Sequence, residues 1–334
     1  MKLIESKAEY IPQEEGLEGI YKQIELAGRT AYHSLDKITP TSAKDFVDRM
    51  IKSKHGAALE HGTVYLYLEV NPENTFKKFE YPLAHFTAGY NWSDVVGNIC
   101  ARYRTNHYSK VTSNIEQSKT DNGFDRVVRK YYITSSYRVI IENGWQDDLQ
   151  FLCSPIEFHE KRYTMRFTCS RAIAQELTRH RVFSFLMESQ RYINYSKERH
   201  GGGVTFIIPS WIDENEEDAN SFIGLVMCGA ELNEHGEKVY PFFKSLIFAE
   251  KNYFALLNKG YTPQEARDVL PNATKTELIM TGFSSDWKHV MDLRLFGKTG
   301  APHPDMVDLM QKAQKAMQEA GIWEDIMSKP SKFN

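Results

Sequence analysis

A chain of 334 residues with 41% hydrophobic and 25% charged side chains has the makeup of a soluble globular protein, long enough for one large domain or two smaller ones. Its 41 Lys and Arg against 44 Asp and Glu give a net charge of -3, without the basic surplus of a nucleic-acid binder, so no nucleic-acid partner is expected. No run of about 18 apolar residues occurs, Met1 to Glu9 has no apolar signal core, and Cys100, Cys153, Cys169 and Cys228 form no Cys-x-x-Cys pair, so the expectations are no membrane span and a reducing, cytoplasmic setting.

Residues 16–53 read mainly as helix, with Pro40 and Thr41 or Ser42 opening a second segment that carries Phe46, Met50 and Ile51 at helical spacing. Residues 64–70 are β-branched and aromatic, a strand stopped by Asn71-Pro72. The weakly periodic, aromatic-rich stretch 71–160 reads as an insertion, with Tyr131 to Thr134 and Tyr137 to Ile140 as a short hairpin. Tyr163 to Thr168 alternates as a strand, and Ser170 is placed to cap a helix that turns Ile173, Ala174 and Leu177 inward and ends near Arg179 to Arg181.

Val204 to Pro209 is another strand, and Asp213 to Asp218 a solvated acidic loop or helix start. From about Val239 to Leu257 a long helix sets Val239, Phe242, Phe243, Leu246, Phe254 and Leu257 on one core-facing side, and Gly260 closes it. Thr262-Pro263-Gln264-Glu265 has the N-cap, first-turn proline and capping-box Glu of a short helix carrying Arg267. A helix from about Ser285 turns Trp287, Val290 and Met291 inward and leaves His289 and Arg294 available, and Asp305 to Ala320 is helical again.

Chemistry concentrates between Arg179 and Tyr192, where three Arg, a His, a Glu and two Ser share one partly apolar segment. Every cation there is Arg, whose planar fork of donors suits bidentate contact with phosphate or carboxylate. Around it, residues 161–199 hold nine Lys or Arg against three Glu, a local positive charge fitted to a small anionic ligand. Other signatures fail. Gly297-Lys298-Thr299 lacks the earlier P-loop glycine, because Asp292 stands there, and His159-Glu160 lacks the second His of a zinc helix, because Tyr163 stands there, so no metal is expected. Gly201 to Gly203 reads as a flexible loop. Cys169 reads as a buried hydrophobe rather than a nucleophile, and Ser184 and Ser189, outside any nucleophile elbow, as hydrogen-bond donors to a ligand.

Arg179-His180-Arg181, two residues, Ser184, four residues, Ser189, one residue, Arg191 and Tyr192 resembles the signature of the flavin-dependent thymidylate synthases at every fixed position. His55 with Glu60-His61 resembles that family's His-x-Ser-x-x-Glu-His element, Ala266 to Pro271 its Ala-Arg-x-x-Leu-Pro, and Trp287-Lys288-His289 with Leu293-Arg294 its Trp-x-His and Leu-Arg helix. The likeness spans about residues 15–70 and 160–320. Four places depart from the family pattern: Ala57 replaces a Ser or Thr that helps hold flavin, Phe283 an Asn that often contacts it, Glu176 a common Gln, and residues 301–306 an Ala-Gln-x-Glu-Ile element.

The resemblance implies a single α+β domain over 1–334 with a mostly antiparallel central sheet flanked by helices. It implies a homotetramer with active sites between subunits, and reductive methylation of dUMP to dTMP. Methylenetetrahydrofolate would give the carbon and NADPH, through FAD, the electrons. It assigns Arg294 to the catalytic role of stabilising ionised uracil, and Glu176, Arg179, Glu188, Ser189, Gln190, Arg191, Arg267 and Arg294 to dUMP. Arg179, His180, Arg181, Val182 and His289 would face FAD. Arg267 and Arg294 are expected to reach the signature segment from distant helices of a neighbouring subunit. The alternative, motivated by Ala57 and Phe283, is a non-catalytic nucleotide-binding or regulatory homologue that has lost flavin.

Overall fold

Helix α1 (Gly16–Ala31) buries Ile20, Ile24 and Ala27 on one stripe, and α2 (Ser42–Lys52) folds back on it through a 3-10 turn, Leu35–Lys37. The close approach needs Gly28, since a Cβ there would stand 2.4 Å from the Phe46 ring. The computed structural model describes residues 1–71, 73, 91–119, 125–191, 193–197, 202–213 and 215–333. Pro72, Tyr192, Glu198, Arg199, Gly201 and Glu214, and part of the 71–160 stretch, lie outside the described residues.

After the short α3 (Gly56–Leu59), strand β3 (Thr63–Val70) forms as its composition demands. It is an outer strand of an antiparallel three-stranded sheet in the order β3-β5-β4, where β4 is Lys110–Lys119 and β5 Asp125–Ser136. β5 pairs with the whole of β3, from Thr63 opposite Ser136 to Val70 opposite Arg129. Helix α4 (Trp92–Thr105) adds Val95, Val96, Ile99 and Tyr103 to a core shared with Ile20, Ile24, Leu66 and Ile133. The 71–160 stretch is thus built into the same core as α1 and β3.

The hairpin expected inside that stretch is corrected. Tyr131 to Thr134 belongs to β5, which turns back on β4, whereas Tyr137 to Ile140 opens helix α5 (Tyr137–Asn143). Its composition is strand-like, but Ser136 caps it by accepting from the Val139 N–H at 3.4 Å, and Gly144 ends it at φ 71°. Burial of Tyr137, Val139 and Ile140 then outweighs propensity.

The second sheet is also antiparallel, in the order β2-β6-β9-β7: β2 is Lys7–Ile11, β6 Arg162–Ser170, β7 Ser184–Met187 and β9 Lys275–Phe283. Helices α6 (Arg171–Leu177), α10 (Ser284–Arg294), α11 (Pro304–Glu319) and α12 (Trp323–Met327) surround it. Trp287 sits fully buried at their centre, its indole N–H donating to the Tyr163 carbonyl at 3.0 Å. Phe183 lies against β9 only because residue 282 is Gly, where a Cβ would come within 2.2 Å of its ring.

A third core joins β1 (Lys2–Ile4), paired in parallel with β8 (Thr205–Ile207), to helices α7 (Glu216–Cys228) and α8 (Glu234–Asn258). The α8 stripe is core, as its period requires. The helix starts five residues before the expected Val239 because Asn233 caps it, accepting from the Gly236 N–H at 2.7 Å. Helix α9 (Pro263–Ala266) has the expected capping box and runs into a 3-10 turn, Arg267–Val269. The architecture is α+β and mostly antiparallel, with two antiparallel sheets and the small parallel β1–β8 pair. Among the described residues no helix is long and apolar enough to cross a membrane.

Candidate active site

Strand β6 hands the chain to α6 through the Ser170 cap, whose hydroxyl accepts from the Ile173 N–H at 3.3 Å, and α6 ends in the turn that carries Arg179 to Val182. From β9 the chain enters α10, whose last residue is Arg294. Because β6 and β9 run antiparallel, α6 and α10 leave opposite ends of the sheet, and the two segments come back together at their helix C-terminal ends. The Arg294 guanidinium donates through Nε to His180 Nε2 at 3.2 Å and through Nη1 to Glu176 Oε2 at 3.1 Å. Its Nη2 reaches the Glu176 carbonyl at 3.4 Å. Arg294 therefore joins the signature segment within one chain, which corrects the expectation that a neighbouring subunit supplies it.

These contacts fix the protonation of His180. Burial and then the Arg294 charge push its pKa down to about 4, and an imidazole accepting at Nε2 keeps its single proton on Nδ1. His289 stands 6.3 Å from His180, ring centre to ring centre. Its buried Nδ1 has no partner among the described residues, and its ring stacks on Phe333 at 5.2 Å. Arg179, Arg181 and Val182 are exposed beside this group, and with His289, Arg294 and Lys332 they line a cavity of about 540 Å³.

The second half of the signature opens elsewhere. Ser189 lines a separate cavity of about 550 Å³ with residues 30–37, and its backbone N–H donates to the Ala31 carbonyl at 3.3 Å. Glu188 is buried, accepting from Lys275 Nζ at 2.9 Å and from the Glu277 N–H at 3.1 Å. Its carboxylate is thus an anchor that pins the segment to β9. Gln190 is buried with its amide donating to the Tyr195 hydroxyl at 3.4 Å, and Arg191 is exposed. Arg267 lines neither cavity, and it makes no ion pair with Asp268 or Glu265, the latter being occupied in the capping box by Thr262 at 2.6 Å. Ser184 is buried in β7, its hydroxyl accepting from Arg162 Nη2 at 3.3 Å, and it lines a further cavity beside Arg162 and Phe283. Burial holds the Cys169 thiol up at about 12, in keeping with a core role.

Several residues here carry no motif of their own. Lys275 is announced only by the Lys-Thr-Glu alternation that opens β9, and Lys332 and Phe333 by nothing. His61 was singled out, and the structure buries it completely: Nδ1 lies 2.8 Å from the Thr281 hydroxyl, while Nε2 has no partner among the described residues. Burial and the nearby Arg162 push its pKa from 6.5 to about 3. The unfolded chain takes up this proton near pH 6.5 and the folded chain only near 3, so the contribution is intact above 6.5 and is lost as the pH falls. The expected slope is at most about 1.4 kcal/mol per pH unit. His61→Asn, which can still reach Thr281, should flatten urea-denaturation stability between pH 6 and 4; an unchanged slope would remove His61 as its source.

An arginine-rich turn and a helix end converge on one positively charged cavity, carried on an α+β scaffold. The family model described as "Thymidylate synthase complementing protein" matches residues 99–320, and the chain belongs to this family. It is 35% identical over 130 residues to the flavin-dependent thymidylate synthase of Corynebacterium efficiens, covering 37% of this chain and 46% of that one. With the enzyme of the same name from Pyrococcus furiosus it shares 30% over 158 residues, covering 47% and 53%. The chain thus spans about half the length of these relatives. Among solved structures, the UMP/dUMP methylase PolB from Streptomyces cacaoi bound with 5-Br dUMP aligns over 98% of this chain and 97% of its own, at 13% identity and a TM-score of 0.39. Thymidylate synthase X from Helicobacter pylori with FAD and dUMP aligns over 97% and 99%, at 16% and 0.35.

Proposed function

We propose that this chain methylates dUMP reductively to dTMP, with methylenetetrahydrofolate as carbon donor and NADPH as electron source through FAD. The observation that carries the reading is the meeting of Arg179 to Val182 with His289 and a Glu176-held Arg294 around one cavity. The donor set fits FAD: Arg179, Arg181 and Lys332 are cations for its pyrophosphate, and exposed Val182 is an apolar wall for its ring. When bound, the flavin supplies hydride chemistry that no side chain here can provide.

The chain's own residues bind and orient. Arg294, held by Glu176 and by neutral His180, presents a fixed positive charge to a uracil ionised at N3. Glu176 and Arg179 orient the nucleotide, and Ser189, the Gln190 N–H and Arg191 take its phosphate with Arg267 as second cation. Glu188 acts on dUMP through the segment it pins. Arg179, His180, Arg181, Val182 and His289 hold the flavin. Because Ser189 and Arg294 line different cavities of one chain, and Arg267 lines neither, the reading includes a homotetramer whose sites are completed between copies. We also include in it one domain over 1–334, whose insertion at about 71–160 overlaps the family match from residue 99 onward, and a cytoplasmic setting.

The test is a visible spectrum and light scattering of the purified protein, then anaerobic NADPH reduction and deuterium release from dUMP labelled at C5. A yellow tetramer that releases deuterium with the folate present is the expected result. A colourless monomer, or tight dUMP binding without stimulated NADPH oxidation, would overturn it.

A further inference from the structure

The departures at Ala57 and Phe283 remove a hydroxyl and an amide from two flavin-facing positions of the signature pattern. Phe283 offers no hydrogen bond in return. Its ring is 5% exposed and flanked by two cations, Lys110 Nζ at 5.4 Å and Arg162 Cζ at 5.6 Å from its centre. It forms one side of a third cavity, of about 200 Å³, which shares Val182 with the Arg294 cavity. Beside Glu60, Arg162 and Ser184, the 71–160 stretch supplies much of the remaining wall, with Asn106, Tyr108 and Arg138 among its residues.

Arg138 fixes that wall in place. Its guanidinium bonds to Glu60 and, through Nε at 2.7 Å, to Glu142, and it lies so close to α3 that a Cβ on Gly56 would stand 2.8 Å from Nε. A side chain from α5 thus packs one residue from the missing hydroxyl of Ala57. Asn106 is oriented by its own turn, Oδ1 accepting from the Tyr108 N–H at 2.9 Å and the Ser109 hydroxyl at 3.3 Å. That anchoring uses only the oxygen and leaves the two amide N–H donors for a ligand. Tyr108 is 63% exposed, an aromatic surface at the edge of the cavity. Lys110, Arg138 and Arg162 set three cations against the carboxylates of Glu60 and Glu142, a surplus that favours a planar ring whose carbonyl oxygens carry partial negative charge and which gains negative charge on reduction.

We propose that Asn106 and Tyr108 are flavin-binding residues of this chain, replacing from the 71–160 stretch the contacts given up at Ala57 and Phe283. The inference rests on the proposed function. It gives the stretch a binding role: Asn106 donates to the ring's polar edge, Tyr108 covers its face, and Arg138 keeps both walls together.

The test is titration of FAD into the flavin-stripped full-length protein, followed by flavin fluorescence. Asn106→Asp keeps the oxygen that the turn needs while replacing the donors by a second, negatively charged oxygen, and Tyr108→Ala removes an exposed ring. Each should weaken FAD binding about tenfold with an unchanged thermal midpoint. If both variants bind FAD as the parent does, the inference falls and the proposed function stands. If the parent takes up no FAD, both fall.

Discussion

Replacing Arg294 by Ala should lower deuterium release from labelled dUMP by at least about 100-fold while leaving FAD affinity within about twofold. The guanidinium is not a loose surface cation: His180 Nε2 at 3.2 Å and Glu176 Oε2 at 3.1 Å hold two sides of its fork. Since both partners lie in the α6 segment, the charge keeps its place before any ligand arrives, and such preorganised charge is what stabilises an anion in a shielded site. Arg294→Lys should recover only a small part of the loss, because a point ammonium cannot serve His180, Glu176 and a nucleobase in one plane. Binding and rate separate the two roles that Arg294 could have. If dUMP affinity falls but the rate at saturation does not, the residue only gathers substrate. Activity equal to the parent's would remove Arg294 from the chemistry altogether.

The neutrality of His180 belongs to the same arrangement. A protonated imidazole could not accept from Arg294 Nε, so acidification breaks the brace as well as charging a buried ring. With its pKa pushed down to about 4, the brace stays intact through the physiological range. The pair is a positioning device for one cation.

What the sequence made legible follows from how local each signal is. The α9 capping box, the Ser170 cap and the α8 stripe are short-range patterns, and the chain obeys each of them. β7 was not legible because four residues, Ser184–Met187, are too few to show a period; pairing with β9 makes them a strand. Tyr137 to Ile140 was misread as strand because β-branched and aromatic composition is common to strands and buried helices, and the deciding Ser136 and Gly144 flank the segment. Within the site, the signature announced an arginine cluster, but no spacing could tell that Glu188 turns inward to a lysine 87 residues away while Arg179 turns out. Nor could it tell that Asn106 shares a cavity with Val182, since the two lie on different sheets' connections and meet only in the folded chain.

Lys275→Met should be the most destabilising single change in the second half of the signature, by about 3 kcal/mol in equilibrium urea denaturation. Lys275 Nζ stands 2.9 Å from Glu188 Oε2 and 2.9 Å from Glu277 Oε1, with only 3% of the Glu188 side chain exposed. Burial works against the ammonium, but Glu188 and then Glu277 more than offset it and hold its pKa above the ordinary lysine value. Without the cation, the buried Glu188 carboxylate and the partly exposed Glu277 carboxylate lose their shared partner, and Glu188 can leave only by pulling the chain off β9. The adjoining Ser189, whose N–H is tied to Ala31, would move with it, so dUMP affinity should fall even though Lys275 lines neither large cavity. Adding Glu188→Gln removes one charge and keeps an oxygen for the Glu277 N–H, now 3.1 Å from Glu188 Oε2. That double variant should recover at least half of the lost stability, a coupling that independent sites would not show. A Lys275→Met protein within about 0.5 kcal/mol of the parent at pH 7 would mean that the pair contributes nothing beyond an ordinary surface contact.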